Sequence, residues 1–185
     1  MKVTGRLSPD EFWDEYGRME DLVRESFGEV TCYGLSQWPG PIAVGEWDLG
    51  SSPSAAVGLE YGSGEAGRTV QVTTTSQDPR LTIAHRRLIL DGPPASGEDL
   101  SRRLGRLTSE RGEEVSLPVD GAEVLFEVWR DAGRWWAAGH HDGKSLILEG
   151  TPELDLSTVA LLRVSDIEPY LQGRRAQIRA ARGEL

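Results

Sequence analysis

The spacing of apolar residues predicts a helix first. Phe12, Tyr16, Met19 and Val23 recur at i, i+4, i+7 and i+11, which places them on one face of a helix. Ser8-Pro9-Asp10-Glu11 supplies its start: Ser8 caps, Pro9 suits the first helical position, and Glu11 completes a Ser-x-x-Glu box. Gly28 is the stop. The opposite face carries Asp14→Arg18 and Glu20→Arg24 in the favourable i,i+4 order.

A period of two follows. Ile42–Leu49, Ala55–Tyr61 and Arg68–Thr75 read as strands, with Val57/Leu59/Tyr61 and Val70/Val72 alternating with polar or small residues. Arg80–Leu90 carries both signals. Asp78-Pro79 resembles a helix start, yet Leu81-Thr82-Ile83 and Leu88-Ile89-Leu90 suit strands, and the reading leans towards strand. Asp91-Gly92-Pro93-Pro94-Ala95-Ser96-Gly97 is the strongest break. Ser96-x-x-Asp99 then opens a helix with Leu100, Leu104 and Leu107 on one face and Gly112 as its stop. Candidate strands follow at Val115–Val119, Glu123–Trp129, Arg134–His140, Lys144–Glu149 and Thr158–Val164. Asp120-Gly121, Asp131-Ala132-Gly133 and Asp142-Gly143 separate them as hairpin turns. A last helix near Asp166–Arg182 holds Pro169 in its first turn, where the missing N–H is harmless.

The expected fold class is α+β: antiparallel β-meanders packed with an N-terminal, a middle and a C-terminal helix. The chain reads as a single compact domain, 1–185, with subregions 1–92 and 97–185, each a Ser-capped helix followed by a meander. Ala66-Gly67-Arg68 and Ala132-Gly133-Arg134 repeat a tripeptide at two hairpin tips, but the helices stand at different distances from them, so coincidence explains the repeat as well as duplication does.

Composition narrows the function classes. The chain has 185 residues and a formal net charge of −10, which works against a duplex-DNA or polyphosphate binder. The charge comes in blocks: residues 1–65 carry 4 basic and 12 acidic groups, 66–112 carry 8 and 5, 113–172 carry 4 and 12, and 173–185 carry 4 and 1. The bland reading of the two basic blocks is charge matching within the protein; the sharper one is an anion or partner site. Cys32 is the one cysteine, so no intrachain disulfide forms and a reducing, cytoplasmic compartment is expected. No apolar run approaches a membrane span, and no membrane association is expected. Lys occurs only at 2 and 144 and Asn not at all, a pattern of a GC-rich, bacterial genome such as an actinobacterial one.

Most motifs that resemble chemistry fail on context. Gly62, Gly64 and Gly67 fit Gly-x-Gly-x-x-Gly, but the motif leads into a strand rather than opening a helix. His140 and His141 are adjacent, so on a strand they point to opposite faces and share a metal only if the Asp142-Gly143 turn begins early. Cys32 is a lone thiol and reads as a small buried hydrophobe. No catalytic residue, metal or cofactor is assigned.

The aromatic residues carry more. Trp135 and Trp136 are consecutive on one strand and face opposite sides; Val124/Phe126/Val128 and Leu125/Glu127/Trp129 leave neither face of the next strand cleanly polar. Either the chain's own elements cover both faces, or one face is an interface. Trp38, Trp129, Trp135, Trp136, His140 and His141 are therefore the candidate ligand or partner surface. Arg175, Arg179 and Arg182, a stripe at i, i+4 and i+7 of the last helix, are the candidate anion or partner contacts. The leading expectation is a non-enzymatic, acidic protein-binding module: an adaptor, or a neutraliser of a basic protein partner, with self-association as a variant. The rival is a small-ligand binder or hydrolase-type enzyme using a Trp/His-lined cleft between the two subregions.

Overall fold

The computed structural model describes residues 8–38, 40–48, 56–62, 69–92, 96–131 and 133–184. The chain divides into two compact units, Met1–Thr31 and Cys32–Leu185. The first is helix α1, Pro9–Phe27. Its capping box is complete: the Ser8 side chain accepts from the Glu11 N–H, and the Glu11 carboxylate accepts from the Ser8 N–H at 2.8 Å. Phe12, Trp13 and Tyr16 form an aromatic cluster on its first turns.

In the second unit, the described residues form nine strands: β1 (Tyr33–Leu35), β2 (Ile42–Asp48), β3 (Ala56–Tyr61), β4 (Val70–Thr75), β5 (Glu113–Val119), β6 (Ala122–Asp131), β7 (Arg134–His141), β8 (Lys144–Gly150) and β9 (Leu161–Arg163). Helices α2 (Pro79–Leu90), α3 (Gly97–Ser109) and α4 (Glu168–Arg182) complete it. One sheet holds all the strands in the order β1-β9-β5-β6-β7-β8-β4-β3-β2. Neighbours are antiparallel except for one parallel bridge between β5 and β9. The fold is α+β. Because β4 pairs with β8, strands from both sides of the 92–97 break share this sheet. Ala66-Gly67-Arg68 and the later glycines of the Gly-rich loop lie outside the described residues.

The hairpin turns form where their dipeptides stand. Asp120 and Gly121 have φ of 50° and 79°, and Asp142 and Gly143 48° and 70°, the left-handed pair a two-residue turn requires. The sheet curls until its first edge meets its far side. The Tyr33 N–H donates to Thr74 Oγ1 on β4, and the Leu35 N–H donates to the Tyr61 hydroxyl on β3, both at 2.9 Å. Tyr61 also pairs with the Tyr170 hydroxyl of α4 at 2.9 Å. At the opposite edge α4 lies on β2, and Gly173 sits directly against the Ile42 carbonyl. The register places Leu117, Phe126, Ala137, Leu148, Val72 and Leu59 on one face, all fully buried.

Arg80–Leu90 is a helix, not a strand. Asp78 caps it, accepting from the N–H groups of Arg80 and Leu81, and Pro79 occupies the first position. Ile83, Ala84, Arg87 and Leu88 are its buried face, at helical rather than alternate spacing. The two triplets that suggest strand, Leu81-Thr82-Ile83 and Leu88-Ile89-Leu90, sit on helical turns: Ile83 and Leu88 pack inward, whereas Leu81, Ile89 and Leu90 face solvent.

Candidate functional site

The outer face of the sheet explains the aromatic residues and the basic middle block together. Trp129 and Trp136 are registered partners on β6 and β7 and pack with Ala138, Ile147 and Ile83 of α2. Trp135 points to the other side, where its indole N–H donates to the Thr151 carbonyl at 3.0 Å. Trp129, Trp135 and Trp136 are all at most 4% exposed, so they are core rather than an exposed platform. Trp38 is half-buried, edge-on to Tyr61.

Arginines of α2 lie over the same face. Arg87 makes a two-point contact with Asp131 (2.9 and 3.1 Å), reaches Glu110 at 2.9 Å and stacks over Trp136. Arg80 pairs with Glu127 and lies over Trp129. Arg86 reaches Glu46 and Thr73 by hydrogen bonds and Glu149 at 3.8 Å. Arg80, Arg86 and Arg87, three of the eight arginines between 66 and 112, are thus matched within the protein.

The two histidines do not share a site. His140 is exposed, with Nδ1 at 3.3 Å from Ser145 Oγ; His141 is half-buried, edge-on to Tyr33. Among the described residues no three His, Cys, Asp or Glu side chains sit together as metal ligands, and no helix is long and apolar enough to cross a membrane. Cys32 is 1% exposed, and burial pushes its thiol up to about 11, against a small opposing pull from Arg163. It therefore carries little thiolate at neutral pH. Arg175 is half-buried on α4, while Arg179 and Arg182 are exposed in its last turn, where they complement the helix dipole; Arg182 pairs with Glu184.

Two grooves flank the β6–β7 tip and share Arg134. One, of about 500 Å³, is lined by Glu60, Gln71, Arg134, Glu149 and Gln177 among others; Glu60, Gln71 and Glu149 stand in one cross-strand row on its floor. The other, of about 410 Å³, includes Arg130, Trp135 and Leu156. Neither lining contains a histidine or Trp38.

A further surface, with no aromatic residue among its outward pairs, lies on the β5–β6 hairpin. Its registered outward pairs are Glu114–Glu127, Ser116–Leu125 and Pro118–Glu123. Leu125 is 59% exposed at the centre, and Glu114 and Glu123 are exposed around it. The signal was present as Glu123-x-Leu125-x-Glu127, an apolar residue alternating with acids; the exposure of that face was not. This is an α+β chain built on one curled, mainly antiparallel sheet. No family model, curated protein or solved structure matches it.

Proposed function

We propose that the chain is a non-enzymatic, acidic protein-binding module for a basic protein partner, acting as an adaptor or a neutraliser in a reducing, cytoplasmic compartment. The observation that carries this reading is the outward face of β5–β6, where exposed Leu125 is framed by Glu114, Glu123 and Glu127. An apolar centre with a charged rim is the anatomy of a protein interface. The pull of a chain at −10 would speed encounter with a cationic partner. Among the described residues, only Glu127 of the three acids has an arginine, Arg80, against it in an ion pair.

The test is affinity capture from a host lysate with the native chain and with Leu125→Asp combined with Glu123→Lys. A basic protein recovered in stoichiometric amount by the native chain and lost with the variant supports the reading. Identical recovery by both, or none by either, refutes it.

A second reading has its own observation. The row Glu60-Gln71-Glu149 on the floor of the 500 Å³ groove fits a small polar ligand. A metabolite that raises the melting temperature of the native chain but not of Gln71→Leu would favour it.

A further inference from the structure

We infer that the partner docks by adding an extended, basic segment of its own chain as a strand along the edge of β5. The inference rests on the protein-binding reading above and assigns its mode. Val119 and Ala122 flank the two-residue turn Asp120-Gly121 and face one another in the register. Residues flanking such a turn exchange both main-chain hydrogen bonds, and the pattern then alternates along the pair. The main-chain groups of Val119, Leu117, Val115 and Glu113 therefore point at β6. Those of Pro118, Ser116 and Glu114 point away from it.

On that outward side β9 meets β5 at one position. Val119 is bridged to Leu161, and the Asp120 N–H donates to the Leu161 carbonyl at 3.0 Å. Upstream of this bridge, the N–H groups of Ser116 and Glu114 have no hydrogen-bond partner among the described residues. Glu113, Glu114 and Ser116 are exposed and Val115 is half-buried, so the edge is open to water. The sheet's two end strands are handled otherwise: β1 is held by Thr74 and Tyr61, and β2 lies under α4. An open stretch of regular strand is a template for another chain. The bridge to Leu161 takes up the edge from Pro118 onward, so the open stretch is Glu113–Leu117, roughly 17 Å at about 3.4 Å per residue, room for a segment of about five residues.

The side chains state what that segment contains. Glu114 stands opposite Glu127, and like charges in register repel. Arg80 relieves Glu127; a cation on an added strand beside Glu114 would relieve the other. Ser116 stands beside exposed Leu125, which suits a β-branched apolar residue on the added strand. Exposed Glu123, opposite Pro118 just past the open stretch, suits a second cation whose long side chain reaches it from the end of the added strand. The recognised pattern is a Lys or Arg, an apolar residue and a Lys or Arg at alternate positions. A second copy of this chain is the wrong occupant, since each copy carries −10 and brings Glu113 and Glu114 to the contact.

The probe is an acetylated, amidated Lys-Thr-Val-Thr-Lys peptide added to the full chain, with main-chain amide exchange read by NMR. At saturation the exchange of the Glu114 and Ser116 amides slows by about tenfold or more, while Val115 and Leu117, already bonded to β6, do not change. Ser116→Pro removes one outward N–H and leaves the β6 ladder intact; it abolishes the slowing. Glu114→Gln, which keeps the edge, weakens binding several-fold and flattens its salt dependence. If the peptide binds without slowing those two amides, and Ser116→Pro binds it equally, docking is through side chains; the strand inference is overturned while the module reading stands. If the peptide does not bind but lysate capture still responds to the Leu125 and Glu123 changes, the edge is again wrong. If neither responds, both readings fall. A dimer of the native chain, with the two amides protected before any peptide is added, makes the occupant a second copy and overturns the basic-segment inference.

Discussion

Replacing Gly173 by alanine tests the packing of α4 on β2. On an open helix surface the change is favourable, because alanine restricts the unfolded chain and stabilises a helix by about 0.5–1 kcal/mol. At Gly173 the added methyl is driven into the Ile42 carbonyl oxygen, with the carbonyl carbon next at 2.8 Å. The obstacle is main chain of a strand registered to β3 through Ile42 and Tyr61, so no side chain can swing aside. Either α4 moves off β2 or the end of β2 moves off β3. Overpacking costs about 1–3 kcal/mol, and a main-chain obstacle places this case near ~3. For a chain of this size that lowers the melting temperature by about 6–12 °C, at about 2–4 °C per kcal/mol. Gly105→Ala in α3 is the control, since nothing lies within 4 Å of its added methyl; it should stabilise. Both variants are measured by thermal melts and by urea unfolding with an unchanged slope. An unchanged or raised melting temperature for Gly173→Ala would refute the close approach of helix and strand.

Arg87→Met removes the contacts to Asp131 and Glu110. Those carboxylates are 42% and 43% exposed and regain water, so the loss is about 1.5–3 kcal/mol rather than that of a fully buried pair; urea midpoints check it, and a loss below ~0.5 contradicts the network. Tyr61→Phe strands the Leu35 N–H and the Tyr170 hydroxyl at a cost of about 1–3 kcal/mol, and the Leu35 amide should exchange faster; unchanged exchange at Leu35 would show that Tyr61 does not hold β1. For Cys32 the folded value, about 11, lies above the ordinary 9.0. Its contribution to stability is therefore whole below pH 9 and is lost as pH rises through about 11. The native chain should resist a thiol reagent at pH 8, and Cys32→Ala should lose less stability between pH 9 and 11; rapid labelling of the folded chain would contradict the burial.

The helix caps were legible because their partners lie within a few residues. Ser8 and Glu11 form their box, Ser96 and Asp78 cap the helices after them, and Pro169 sits in the first turn of α4. The short strand β1, Tyr33–Leu35, gave no local signal, and Arg80–Leu90 was misread as strand. There the local signals conflict, and burial of Ile83, Ala84, Arg87 and Leu88 against neighbours distant in the chain accompanies the helix. Opposite facing of Trp135 and Trp136 also followed from alternation; that both sides would be closed did not. Period two says that a residue has an inward face and not what lies across from it.

The sequence by itself determined the caps, the Asp-Gly turns, the strand period and the α+β class, because each depends on contacts three or four residues long. Only the tertiary structure decided that β4 joins β8, that β9 inserts between β1 and β5, and that Tyr61 meets Tyr170, 109 residues away. It also decided that the arginines of α2 meet acids of β2, β6 and β8, which matches that part of the positive middle block within the protein. The same crossing of strands left β9 too short to cover β5. An open edge of this kind is a property of strand order and strand length together, and no local pattern of residues encodes it.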